Sequence, residues 1–88
     1  MDRQTRPPLY VPFVSSAQHK KYSVYVMRDG QRKLIHFGDS RYGQYRDKLQ
    51  HYSHLDHNDT RRRELWYARH GRTTDKSSPR FWAARVLW

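Results

Sequence analysis

The chain has 88 residues, no cysteine, and 18 Lys plus Arg against 8 Asp plus Glu, for a formal net charge of +10. One small domain fits that length and a large interior does not, while the missing cysteines exclude a disulfide framework and a thiolate metal site. The surplus positive charge points to an acidic partner.

With 35% hydrophobic residues and a mean hydropathy of -1.21, a folded core must lean on the 3 Trp, 7 Tyr and 3 Phe. No apolar run approaches the roughly 20 residues that cross a bilayer, and Met1 to Gln4 lacks the grammar of a signal peptide. The expectation is a soluble protein with no membrane span and no readable targeting signal.

Residues 1–19 place Pro7, Pro8 and Pro12 among Leu9, Tyr10, Val11, Phe13 and Val14. Proline removes backbone donors and fixes φ, so this segment reads as an extended arm. Its aromatic and β-branched content is unusual for a disordered tail and favours docking on a neighbour. The domain proper is expected over residues 20–88.

Asp29-Gly30 between two β-rich runs predicts a two-residue hairpin, with glycine supplying the positive φ of a type I′ turn. That turn pairs Arg28 with Gln31, Val26 with Lys33, Val24 with Ile35 and Tyr22 with Phe37. Tyr25 with Leu34 and Ser23 with His36 fall on the opposite face. The face of Tyr22, Val24 and Val26 is the apolar one and needs a cover, most simply a downstream helix.

Residues 39–58 show neither helical nor strand periodicity and read mostly as loop, with a turn of helix near Tyr45 to Leu49. Asn58 or Asp59 can cap a helix over Thr60 to His70 that Gly71 stops. Ser78 and Pro79 repeat that logic for a terminal helix through Phe81, Trp82, Val86, Leu87 and Trp88. Its apolar residues wrap most of the circumference, which predicts burial on more than one side. The expected fold is thus α+β: a β-hairpin packed against two short helices, with an extended N-terminal arm.

The most specific local feature is the basic and aromatic interleaving of Arg61, Arg62, Arg63, Trp66, Arg69, His70 and Arg72. On a helix, positions 62, 66, 69 and 70 share one face and 61, 65, 68 and 72 another. Guanidinium groups suit phosphate or carboxylate, and Trp66 offers a stacking platform. These arginines, with Trp66 and Lys33, are the expected polyanion-binding residues. The alternative is a solvated basic face with Trp66 in the core. Leu9, Tyr10, Val11, Phe13, Phe81, Trp82 and Trp88 are the expected protein-docking residues.

Among six histidines, His51, His54 and His57 are spaced by three, a pattern that aims imidazoles at one metal ion only on a helix. Tyr52-Ser53 and Leu55-Asp56 do not favour one, and structural zinc sites usually include cysteine. Neither a metal nor another cofactor is therefore expected. Asp56-His57-Asn58 between a hairpin and a helix also suggests a small metal-dependent nuclease, though the base lies some way past the hairpin. No Ser, His and Asp triad, P-loop or dinucleotide fingerprint is present. Asp39, Asp47, Asp56, Asp59 and Asp75 are read as turn caps and arginine partners rather than paired catalytic carboxylates. A non-enzymatic protein is expected.

Ile35 to Gly38, Tyr42 to Tyr45, His57 to Asp59 with the following arginines, Tyr67 to His70, Phe81-Trp82 and Leu87-Trp88 occur together in one order. In these motifs residues 20–88 resemble a family of small proteins encoded by tailed phages and large DNA viruses of eukaryotes. The resemblance implies a viral origin and no established enzymatic activity. The chain departs from that pattern in a longer segment around Gln50 to Leu55 and in its apolar arm, while relatives often continue past the final Leu-Trp. The favoured expectation is a minor virion component that cements capsid or other virion proteins through its arm and terminal aromatics, its arginine-rich helix touching acidic protein or packaged nucleic acid. Its expected location is the virion and, before assembly, the host cytoplasm or nucleus. A free DNA- or RNA-binding module is the alternative, and a small His-metal nuclease the second alternative.

Overall fold

In the computed structural model, which describes residues 7–88, three strands form one antiparallel sheet in the order β1-β2-β3. They are β1 (Phe13–Val14), β2 (Lys20–Arg28) and β3 (Gln31–Asp39). Asp29 and Gly30 take φ of 54° and 75°, the left-handed conformations that let two residues reverse the chain without splaying its strands. The turn fixes the register, and Tyr22 lies opposite Phe37, Val24 opposite Ile35 and Val26 opposite Lys33, as the pattern of residues requires. A slip of one residue would move Tyr22, Val24 and Val26, all buried, into solvent.

The arm expected over residues 1–19 is part of this sheet where it is described. Phe13 pairs with Ser23 and Val14 with Tyr22, and the Tyr10 amide donates to the Tyr25 carbonyl at 2.8 Å. The Phe13 ring stacks on Tyr25, and the Ser15 hydroxyl lies 3.2 Å from His36 Nδ1, which Ser23 Oγ approaches to 2.6 Å. The segment therefore extends the sheet of its own hairpin along the β2 edge. Residues 1–6 of the expected arm lie outside the described residues.

Two helices follow, α1 (Thr60–His70) and α2 (Pro79–Val86). Asp59 caps α1 by accepting from the Arg61 and Arg62 amides, and Gly71, at φ 70°, ends it. Ser78 caps α2 with Pro79 at its first turn. Trp82 and Val86 of α2, with Leu87 just beyond it, join Tyr22, Val24, Val26 and Phe37 in one core. The fold is the expected α+β arrangement of an antiparallel sheet with two helices, and helix α1 completes it without joining the core cluster. This helix leans on the far side of α2, where Trp66 stacks on Trp88, Arg63 Nε donates to the Trp88 carbonyl at 2.6 Å and the Tyr67 hydroxyl donates to the Ala84 carbonyl at 3.4 Å. This is how an apolar α2 finds cover on more than one side within a single chain.

Gly38 is set where β3 passes beneath the end of α2. A Cβ there would meet Leu87 Cδ1 at 2.7 Å and the Lys21 side chain at 3.1 Å, and its φ of 77° disfavours any side chain.

The segment between β3 and α1 holds one 3-10 turn, Ser53–Leu55, rather than the helical turn expected near Tyr45 to Leu49. It is ordered by polar groups. Lys21, Gln44 and Asp47 are each at least 98% buried. The Lys21 ammonium donates to Gln44 Oε1 and, at 2.8 Å, to the Tyr42 carbonyl. Gln44 Nε2 donates to the Tyr52 carbonyl at 2.9 Å and to Asp56 Oδ1 at 2.5 Å, and Asp56 Oδ1 accepts from the Asp47 amide at 2.8 Å. Asp47 in turn accepts from the Tyr22 hydroxyl and from the Leu49 and Tyr52 amides. Every hydrogen bond here replaces one to water that burial removed. The loop is tied to the C-terminal end of α2 as well, the Arg46 and Lys48 amides donating to the Leu87 and Val86 carbonyls at 3.0 Å.

A candidate polyanion-binding cleft

The outward turn of α1 leaves a cleft between it and the end of the sheet. Two adjoining hollows, of about 680 and 490 Å³, share Tyr42, Gly43, Trp66, Arg69 and Trp88. Arg62, Leu65 and Arg69 of α1 form one wall, and Lys20, Gly38 and Arg80 part of the other. The Trp66 and Trp88 rings, 5.4 Å apart and inclined by 11°, lie where the two hollows join. Tyr42 is 65% exposed, with the Arg41 guanidinium 5.8 Å from its ring centre.

The cleft is positive. Lys20, Arg62, Arg69 and Arg80 line it, while its one lining carboxylate, Asp39, is held by Arg41 at 2.8 Å. That exposed pair keeps the Asp39 carboxyl well below the usual carboxylate range. Arg62 has a loose, solvent-exposed pair with Asp59 at 3.7 Å, and such pairs contribute little. Among the described residues neither Arg69 nor Arg80 has a carboxylate within ion-pair distance. Arg61, Arg62 and Arg63 also stand in the first turn of α1, where the helix dipole adds to their field.

His57 lines the larger hollow in a fixed tautomer. Its Nδ1 accepts from the Asp59 amide at 3.0 Å, so the neutral ring carries its proton on Nε2, which is buried without a hydrogen-bond partner. Burial, reinforced by Arg62, lowers its pKa from 6.5 and keeps it uncharged. Lys21, beneath the smaller hollow, has its pKa lowered by burial too, with Asp47, Asp39 and Asp56 opposing.

The expected polyanion-binding residues divide. Arg62, Trp66 and Arg69 meet in the cleft, with Trp66 both buried and lining it. Arg63 is turned inward, its guanidinium 5.3 Å from the ring centres of both Tyr45 and Tyr67. Arg72 lies over Tyr67 at 4.1 Å, on another side of α1. Arg61 is exposed and Lys33 sits on β3 near the hairpin turn; neither lines the cleft. Lys20, Tyr42, His57 and Arg80 were not expected there, because they come from four separate segments that only the fold brings together.

The expected docking residues are also partly internal. Trp82 is 4% exposed, stacks on Tyr10 and donates from Nε1 to the Lys76 carbonyl at 2.8 Å, so it cannot present a docking surface. Trp88 and Phe81 are half-buried against neighbours, as are Leu9 and Phe13. Tyr10 and Val11 remain exposed beside a groove of about 530 Å³ with Leu49 and Val86.

His51, His54 and His57 do not converge. They pack on Tyr22, on Tyr52, and on Trp88 and Tyr45 respectively. Among the described residues no group of three His, Asp or Glu side chains could hold a metal ion. The aspartates act locally: Asp59 caps α1, Asp39 pairs with Arg41, and Asp75 accepts from the Ser77 amide and hydroxyl. No helix among the described residues is long and apolar enough to cross a membrane.

No family model, curated protein or solved structure matches the chain.

Proposed function

We propose that this protein is a non-enzymatic binding module that grips nucleic acid along the cleft between α1 and the end of the sheet. The observation that carries this reading is the meeting of Lys20, Arg62, Arg69 and Arg80 on the walls of one cleft joined by the Trp66 and Trp88 rings. Guanidinium and ammonium groups neutralise phosphates and release their counterions, the main source of affinity in such complexes. Arg62→Ala combined with Arg69→Ala should weaken binding to oligonucleotides of any sequence at least tenfold. Unchanged affinity in a fluorescence anisotropy titration would remove the cleft from the binding surface.

A second reading, cementing of virion proteins, is supported by the groove beside exposed Tyr10, Val11 and Leu49, whose apolar lining is flanked by Lys48 and Arg85 and suits an acidic protein surface. The viral resemblance of the motifs between Ile35 and Trp88 favours the same setting. Deleting the arm would remove β1 from the sheet, so Val11→Asp is the cleaner probe. If the groove docks on capsid protein, that variant loses copurification with particles while keeping its fold; retention would overturn this second reading.

A further inference from the structure

We infer that the cleft accepts single-stranded nucleic acid in preference to duplex, with an unstacked base lying against Tyr42. This rests on the proposal that the cleft binds nucleic acid and narrows it to one form of that ligand. Tyr42 is the most exposed of the large apolar side chains in the described residues, at 65%, and it lines both hollows. An exposed ring adds nothing to the core. Beside a row of cations it offers a flat apolar face to a partner that is itself flat and anionic.

Its backbone carries the main structural duty, since the Tyr42 carbonyl accepts from buried Lys21, while the ring has the Arg41 guanidinium 5.8 Å from its centre. That bond pins the residue at the cleft mouth whatever its side chain. Opposite, Leu65 is 52% exposed on the α1 wall, so a base entering the larger hollow meets apolar groups on both sides. Arg62 and Arg69, two turns apart on α1, then face the phosphates that flank it.

Base faces are available in a single strand and hidden in a duplex, where each is stacked on its neighbours. A duplex could meet only the arginines at the rim and would leave Tyr42 unused. Stacking on an aromatic ring tolerates any base, so the preference should be for strand form and not for sequence.

The test is fluorescence anisotropy with one labelled oligonucleotide presented as single-stranded DNA, as single-stranded RNA and as DNA duplex, with polyglutamate as a competitor of equal charge. The expected result is single strands bound at least tenfold more tightly than duplex and resistant to polyglutamate. Tyr42→Ala should weaken single-strand binding by roughly five- to hundredfold, leave duplex binding unchanged, and Tyr42→Phe should restore the affinity. Equal or tighter binding of duplex, or an inert Tyr42→Ala, overturns this inference while leaving the cleft reading intact. No binding of either form overturns both.

Discussion

The rings of Trp66 and Trp88 lie nearly parallel, 5.4 Å apart, and this contact fastens α1 to the far side of α2. Trp66 is the only buried residue of α1, so beyond the Arg63 and Tyr67 hydrogen bonds to the Trp88 and Ala84 carbonyls the helix has little apolar contact to hold it to the domain. Trp88→Ala should therefore cost about 2–3 kcal/mol, less than a fully buried tryptophan because Trp88 is half-buried. Amide hydrogen exchange would show where: α1 should lose protection while β2 and β3 keep theirs. Equal loss in the sheet would mean that α1 and the sheet unfold as one unit.

Tyr22→Phe removes the hydroxyl that donates to Asp47 and keeps the ring against Phe37 and Tyr52. The expected loss is about 1–3 kcal/mol. Asp47→Ala should cost more, since it strands the Leu49 and Tyr52 amides together with that phenol. Thermal melts would resolve both, at about 4–8 °C for each kcal/mol in a domain of this size.

Gly38 and Gly30 share a positive φ but not an environment. At Gly30 a Cβ would meet nothing within 4 Å, whereas at Gly38 it would strike Leu87. Gly30→Ala should cost about 1–2 kcal/mol from backbone strain alone. Gly38→Ala should add about 1–3 kcal/mol of overpacking, and a denaturation series would separate the two.

The His57 pKa is lowered in the folded protein by burial first and by Arg62 second. Below its ordinary value of 6.5 the unfolded chain takes up a proton that the folded chain resists. This group's contribution therefore falls as pH drops below about 6.5 and stops changing once the folded-state pKa has been passed. His57→Asn, which keeps an acceptor for the Asp59 amide, should flatten the stability profile between pH 7 and 5. Arg62→Gln should raise the His57 titration midpoint read by NMR.

Binding to single strands should fall with salt at a logarithmic slope of about -3 if Lys20, Arg62, Arg69 and Arg80 each engage one phosphate. Arg69→Ala alone should make the slope shallower by about 0.7. A slope near zero would mean that charge does not drive the association.

The hairpin register, both bounds of α1 and the start of α2 were legible because each rests on a few neighbouring residues: Asp29-Gly30, Asp59 with Gly71, and Ser78-Pro79. Helix α2 ends at Val86, short of the expected Leu87 and Trp88, where no such stop signal marks the bound. The segment between β3 and α1 was not. Lys21, Gln44 and Asp47 look like surface residues by hydropathy, and their burial depends on bonds between positions more than twenty apart in the chain. The pairing of Phe13 and Val14 with β2 was hidden for a similar reason, since two residues carry no periodicity. Half of the cleft could be read from the spacing of Arg62, Trp66 and Arg69 on α1. Lys20, Tyr42 and Arg80 reach it only through tertiary structure.

Lys21, Gln44 and Asp56 answer one another's hydrogen-bonding needs through their side chains, with Lys21 and Gln44 fully buried, so a replacement at one leaves the others with no alternative. In a lineage of this protein the apolar sheet positions can drift singly through substitutes of similar volume. These three polar positions are bound to change in concert or stay as they are, which makes them better markers of descent than the arginines on the surface.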